Sequence, residues 1–168
     1  MGGVAGHGRL GNDQGMESHT KYRFSFGPWN IGEGADPFGP GPEVREAFPH
    51  EEKYALYRSL GFEGVQFHDD DVVPDLDGKS PSEMLAGARK VKQTLDNEGL
   101  VAEFVAPRLW FADQTVDGGY TSNSATDRKY AWDRTEKTID IANEMGCGAL
   151  VLWLAREGSY IREAKDAC

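Results

Sequence analysis

The chain has 168 residues, with 18 Lys and Arg against 28 Asp and Glu and a formal net charge of −10. That length fits one ordinary domain and falls short of the roughly 250 residues of a closed eight-unit α/β barrel. The acidic balance argues against a surface for nucleic acid or anionic lipid, so no nucleic acid and no membrane is expected as a partner.

Met1 to Thr20 hold six of the 21 glycines and almost no large apolar side chain, so residues 1–20 are expected to be a disordered leader. They also lack the apolar centre of a secretory signal, and no later stretch reaches the length of a membrane span. A cytoplasmic protein is the expectation. Tyr22 to Gly27 place Tyr22, Phe24 and Phe26 on a period of two, which predicts a strand. A Gly/Pro-rich loop runs from Trp29 to Pro42. A helix is predicted over Pro49 to Leu60, with Leu56, Tyr57 and Leu60 as its apolar stripe and Gly61 past its end. Gly64 to His68 is the second strand.

Ser80-Pro81-Ser82-Glu83 combines an N-cap serine, a proline at the first helical position and a glutamate three residues on. The helix it opens carries Met84, Ala88, Val91 and Leu95 on one face and stops at Gly99. Leu100 to Ala106 is the third strand. Ser124 caps a third helix with Ala131, Thr135, Ile139, Ala142 and Met145 on one face and Gly146 at its stop. Ala149 to Leu154 is an unbroken apolar run, the pattern of a strand buried on both faces of a parallel sheet. Glu157 to Cys168 reads as a loop leading into a further helix. Cys147 and Cys168 cannot make a disulfide framework and are read as free thiols.

Strands alternating with helices predict an α/β fold with parallel strands. No glycine-rich phosphate fingerprint follows the first strand, so a partial (β/α)8 barrel of about four βα units is favoured over a dinucleotide fold. In a barrel the chemistry sits at the C-terminal ends of the strands. Those positions hold Trp29, then His68 with Asp69, Asp70 and Asp71, then Arg108, Trp110 and Phe111, then Trp153, Arg156 and Glu157. Flat aromatic walls around a few polar groups suit a sugar, and tryptophans at a barrel mouth can equally close the core. His68 with a carboxylate three residues on suits proton transfer near neutral pH. The same residues also fit a plain acidic loop or a metal site, since His and Asp are both good ligands. Three adjacent carboxylates repel, so the run is costly without a cation or a basic partner. Arg156-Glu157 reads as a solvated ion pair worth little.

The ordered set Phe24-Ser25-Phe26-Gly27-Pro28-Trp29, Asp36-Pro37-Phe38-Gly39, Val65-Gln66-Phe67-His68-Asp69-Asp70-Asp71, Asp117 to Asn123, Trp153 with Arg156-Glu157-Gly158, and Ala164-Lys165-Asp166 resembles xylose isomerase. The resemblance implies an aldose–ketose isomerase, D-xylose to D-xylulose with D-glucose to D-fructose as a further reaction, by ring opening and a metal-assisted hydride shift. It implies His68 as the catalytic histidine that assists ring opening, Asp71 as the carboxylate that orients it, and Trp29 and Trp153 as walls of the sugar pocket. Phe38 is similar to a phenylalanine that reaches into a neighbouring subunit, which implies a homodimer or homotetramer. Two divalent cations, Mg, Mn or Co, are implied as cofactors, with no metal ligand of that family in this chain. Trp110 stands where the family has Phe, and Leu154-Ala155 where it has two glycines, as in a divergent branch. Because the metal ligands and catalytic lysine of the family fall in its second half, residues 21–168 read as a truncated front half, aggregation-prone and inactive alone. Another barrel isomerase or epimerase of the same superfamily, or a non-catalytic carbohydrate-binding fragment, is the alternative.

Overall fold

The computed structural model describes residues 22–34, 43–46, 48–154 and 156–157. The glycine-rich leader, Phe38 with its Asp36–Gly39 turn, and the segment after Glu157 lie outside the described residues.

Three parallel strands form one sheet in the order β1 (Ser25–Phe26), β2 (Gly64–His68), β3 (Val101–Ala106). Helix α1 (His50–Ser59) joins β1 to β2. A single turn, α2 (Asp69–Val72), follows β2, and α3 (Pro81–Glu98) leads into β3. The long helix α4 (Ala125–Glu144) comes after β3. Parallel strands with helical crossovers make this α/β architecture, arranged as in part of a (β/α)8 barrel.

The period-two rule explains the sheet's two faces. Val65 and Phe67 on β2 and Val105 on β3 are wholly buried on the helix side. There they meet Tyr54 and Tyr57 of α1, Met84, Ala88 and Leu95 of α3, and Ile141 and Ala142 of α4. The other face is polar: the Gln66 amide donates to Ser25 Oγ at 2.9 Å and to Glu103 Oε2 at 3.0 Å. An irregularity in the β2–β3 register falls between Val65 and Gln66, pairing Val65 with Ala102 and Gln66 with Phe104. The extra residue, Glu103, sends its carboxylate to that polar face.

Local signals decide the helix ends. Ser80 Oγ accepts from the Glu83 N–H and the Glu83 carboxylate accepts from the Ser80 N–H at 2.8 Å, a reciprocal pair that starts α3. Gly99 ends it in the left-handed region at φ 67°.

Four expectations change. The first strand is two residues long rather than Tyr22–Gly27: only Ser25 and Phe26 pair with β2, and the side chains of Tyr22 and Phe24 are exposed. On α1 the buried face is Lys53, Tyr54 and Tyr57, while Leu56 and Leu60 are 38% and 65% exposed. On α4 the buried face runs through Ala131, Arg134, Thr135, Thr138, Ile141 and Ala142, and Ile139 is left 44% exposed. The expected α4 stripe holds at Ala131, Thr135, Ala142 and Met145, and it missed Arg134 and Thr138, which the site recruits. Finally, Ala149–Leu154 is not a strand buried on both faces. Residues 149–151 run parallel to β3 through Val105 N–H to Ala149 O at 3.3 Å and Val151 N–H to Val105 O at 3.1 Å, and Leu152, Trp153 and Leu154 are about half exposed. Cys147 is a buried free thiol. Among the described residues no helix is long and apolar enough to cross a membrane.

Candidate functional site

His68 is the last residue of β2 and the cap of α2, so its side chain stands at the C-terminal end of the sheet. The tight turn that follows brings Asp71 back over it. The His68 backbone N–H donates to Asp71 Oδ2 at 2.9 Å, and its Nδ1 lies 3.1 Å from the same oxygen. Burial opposes ionisation of Asp71. Its contacts with His68 and the charge of Arg108 outweigh it and hold the carboxyl below its ordinary value.

The aromatic residues at the strand ends converge on this histidine. Trp29, on the 3₁₀ turn Pro28–Ile31 after β1, stacks over the imidazole with ring centres 4.3 Å apart and planes inclined by 35°. Gly27 permits this, because the indole occupies the space that a Cβ there would fill. Trp110 meets the ring edge-on at 5.1 Å, and Trp153 follows at 5.9 Å from Trp110. Trp29, His68, Trp110 and Trp153 thus form one continuous aromatic row.

The three aspartates lie in three environments. Asp69 is fully buried behind the strand end and receives a bidentate pair from Arg134 of α4 at 2.7 and 2.9 Å. Thr138 Oγ1 at 3.2 Å, the Arg108 backbone N–H at 3.1 Å and the Asp70 N–H at 2.9 Å complete its shell. Asp71 is the partner of His68. Asp70 faces Arg108 Nε at 3.2 Å, yet its Oδ1 has no aligned hydrogen bond among the described residues. Desolvation, only partly offset by Arg108, raises its pKa. The basic partners that the acidic run requires are therefore Arg108 and Arg134.

His68, Asp70 and Asp71 can bring one ligand atom each within 4.8 Å of one another. A guanidinium already stands among them. Arg108 Nη2 meets His68 Nδ1 and donates to Asp71 Oδ1 at 3.1 Å, while Nε faces Asp70. Its contacts are those a cation would make, so these residues do not fit a metal ion as well.

Two positions dismissed or overlooked on sequence grounds have structural work. Glu157 is no solvated partner of Arg156: its carboxylate accepts from the N–H groups of Gly119, Tyr120 and Thr121 at 2.8, 2.9 and 2.9 Å, and from Thr121 Oγ1. Burial opposes its ionisation, and these hydrogen bonds outweigh it and hold its pKa down. A Cβ at Gly119 would meet Glu157 Oε1 at 2.9 Å and Ala131 Cβ at 3.2 Å, which explains a glycine at the centre of the cradle. Arg156 donates instead to Ala112 O at 3.3 Å. Lys53 is buried under the Trp29 turn, with Nζ 3.4 Å from Pro28 O, and desolvation lowers its pKa. The sequence signal for Arg134 was its place on the buried phase of α4, where a charge requires a partner.

No family model matches the sequence. Two solved structures overlay on 76% of the chain, each at 18% identity. One is a xylose isomerase-like TIM barrel/4-hydroxyphenylpyruvate dioxygenase fusion protein, with a TM-score of 0.46 and 15% of its length spanned by this chain. The other is an AP endonuclease, family 2, from Brucella melitensis, with a TM-score of 0.45 and 39% spanned. Overlays this loose carry no weight for the chemistry, and the fold rests on the chain's own strand order.

Proposed function

We propose that the chain is the front half of an aldose–ketose isomerase of the xylose isomerase type. The observation that supports the reading is the row of Trp29, His68, Trp110 and Trp153 at the strand ends, with Asp71 on the histidine. In this reading the indole faces pack against the C–H faces of an aldose, D-xylose or D-glucose, and exclude water from it. His68 moves a proton at the ring oxygen during opening, and Asp71 holds the imidazole in place. In the same reading the protein works as a homodimer or homotetramer and is cytoplasmic. Two divalent cations, Mg, Mn or Co, would polarise the opened sugar from ligands other than His68, Asp70 and Asp71.

The test is ketose formation from D-xylose and D-glucose with each cation supplied, on any longer product of the same reading frame and on residues 1–168 alone. The longer product is expected to convert xylose, and His68→Asn to slow it by about 10²–10⁴-fold. No ketose from the longer product would overturn the isomerase reading. Ketose from residues 1–168 alone would overturn the half-site part of it. Quenching of tryptophan fluorescence by sugar without turnover would point to a carbohydrate-binding fragment.

A further inference from the structure

Among the described residues, two side chains at His68 Nδ1 require opposite things of it. Asp71 Oδ2, 3.1 Å away, accepts hydrogen bonds and would call for a proton on Nδ1. Arg108 Nη2, within hydrogen-bond distance of the same nitrogen, belongs to a guanidinium, which has only donors and keeps its charge in proteins. Facing Arg108, Nδ1 has to offer a lone pair. Both demands cannot be met at once.

The surrounding contacts decide between them. Asp71 does not depend on the imidazole proton, because its Oδ2 accepts from the His68 backbone N–H at 2.9 Å and its Oδ1 from Arg108 Nη2 at 3.1 Å. With Nδ1 unprotonated, Arg108 Nη2 has acceptors in His68 Nδ1 and Asp71 Oδ1, and the His68 backbone N–H keeps Asp71 Oδ2. With Nδ1 protonated, an N–H would point at a cationic N–H. The guanidinium is also held from three other sides, by Asp70 at 3.2 Å, by Asp71 and by the Phe111 ring, whose centre lies 5.6 Å from Cζ. The imidazole is pinned between Trp29 and Trp110, which hinders rotation of its nitrogens away from this arrangement.

We infer that Arg108 is a positioning residue that fixes His68 as the neutral tautomer with its proton on Nε2. The side chain does so from the place between His68, Asp70 and Asp71 that a cation would otherwise take. In this state the imidazole presents a hydrogen-bond donor to whatever enters the aromatic row. If the guanidinium swings away, the proton moves through solvent to Nδ1 and is held by Asp71, and Nε2 becomes the acceptor. Arg108, rather than Asp71, then determines whether His68 begins as a donor or as a base. This inference rests on the proposed role of His68 only for its consequence in turnover. The tautomer itself is read without substrate.

The experiment is 15N–1H correlation of the imidazole nitrogens in the labelled chain, at a pH where His68 is neutral. The wild type is expected to show Nε2 protonated and Nδ1 unprotonated. Arg108→Met is expected to shift the population toward protonated Nδ1 by more than about tenfold, as the loss of one charge-assisted hydrogen bond implies. Arg108→Lys, which keeps a donor cation, should restore most of the Nε2 form. The backbone N–H of residue 108 still reaches Asp69 in either variant, so the anchor of this loop is retained. Should Arg108→Met nevertheless fail to fold, Asp71→Asn with Arg108 in place serves instead, and it should leave the Nε2 form dominant. A protonated Nδ1 in the wild type, or the same tautomer with and without Arg108, would overturn the inference. A chain that shows the expected tautomers but converts no sugar in its longer form would sink the isomerase reading alone.

Discussion

Asp69 and Asp71 lie two residues apart on one helical turn, and their carboxylates face opposite neighbourhoods. Asp69 points behind the strand end, away from water, into a shell of Arg134, Thr138 and two backbone N–H groups. Asp71 points forward over His68, beside Arg108 and the aromatic row. One residue type serves to tie α4 to the end of β2, and the same type serves to hold an imidazole. The difference comes from direction. A 100° rotation per residue on a one-turn helix turns successive side chains to different walls of the barrel mouth. At the rear, Arg134 meets Asp69 with a bidentate pair of hydrogen bonds; at the front, Arg108 is shared among His68, Asp70 and Asp71.

The largest effect should come from the rear. Asp69→Asn takes from the buried Arg134 its bidentate counter-ion and leaves, among the described residues, only the Asp70 and Asp77 carboxylates at 3.7 Å, and removing one member of such a buried pair costs about 3–5 kcal/mol. The urea midpoint is the measurement, with the m-value unchanged. A loss below about 1 kcal/mol would erase the contrast with Asp71, because it would place the Asp69 shell among ordinary surface pairs.

Asp71→Asn is expected to cost less, about 1.5 kcal/mol, since asparagine keeps one acceptor for the His68 N–H and loses the charge-assisted part. The folded pKa of Asp71 lies below its ordinary 3.8, so its contribution is fully present above that value and is lost as pH falls through the folded pKa. Stability of the variant should therefore fall less steeply than the wild type's on acidification below that value. Parallel curves would show that the carboxylate is not held by His68 and Arg108.

Glu157→Gln tests whether a carboxylate held by backbone N–H groups behaves like the rear or the front one. Its oxygens accept three backbone N–H groups, and the amide can satisfy only part of that cradle, a loss of about 1 kcal/mol. The sign with pH matches that of Asp71: the lowered pKa gives stability present above the ordinary 4.5 and lost as pH falls below it. Hydrogen exchange at Gly119, Tyr120 and Thr121 is the direct readout, and it should quicken in the variant. Unchanged protection there would show that the loop holds its shape without Glu157.

What could be read in advance was whatever depends on neighbours in sequence. Ser80 and Glu83 are three residues apart, and their reciprocal bonds start α3 where the motif predicts. The strand-end rule likewise picked out Trp29, His68, Trp110 and Trp153, because the ends of β2 and β3 follow from short apolar runs bounded by polar ones. Arg134 is another matter. It stands 65 positions from Asp69, and a charged residue in the apolar phase of a helix can be matched to its partner only once the helix is docked. Thr138 was hidden by the same rule that promoted Ile139. Glu157 looked idle because its partners are backbone N–H groups, which carry no residue signature. The run 149–154 misled for a related reason. Its apolar residues describe what could cover them, and only β3 does so on one edge among the described residues.

Asp70, between the other two, should give the smallest effect and the sharpest view of the comparison. Its Oδ1 has no aligned hydrogen bond among the described residues, and desolvation together with the charges of Asp69 and Asp71 outweighs Arg108 to raise its pKa. A raised carboxylate pKa means that the folded state takes up the proton more readily than the unfolded chain. Its favourable contribution is therefore present below the ordinary 3.8 and is lost as pH rises through the folded value. At neutral pH the ionised Asp70 is then a mild liability. Asp70→Asn should change stability by no more than about 0.5 kcal/mol, on the stabilising side, with the difference vanishing in acid. Comparing urea midpoints at neutral and acidic pH measures both the sign and its disappearance. A clear destabilisation at neutral pH would mean that the ion pair with Arg108 outweighs the crowding of three carboxylates. The front of the site would then be held by charge as firmly as the rear.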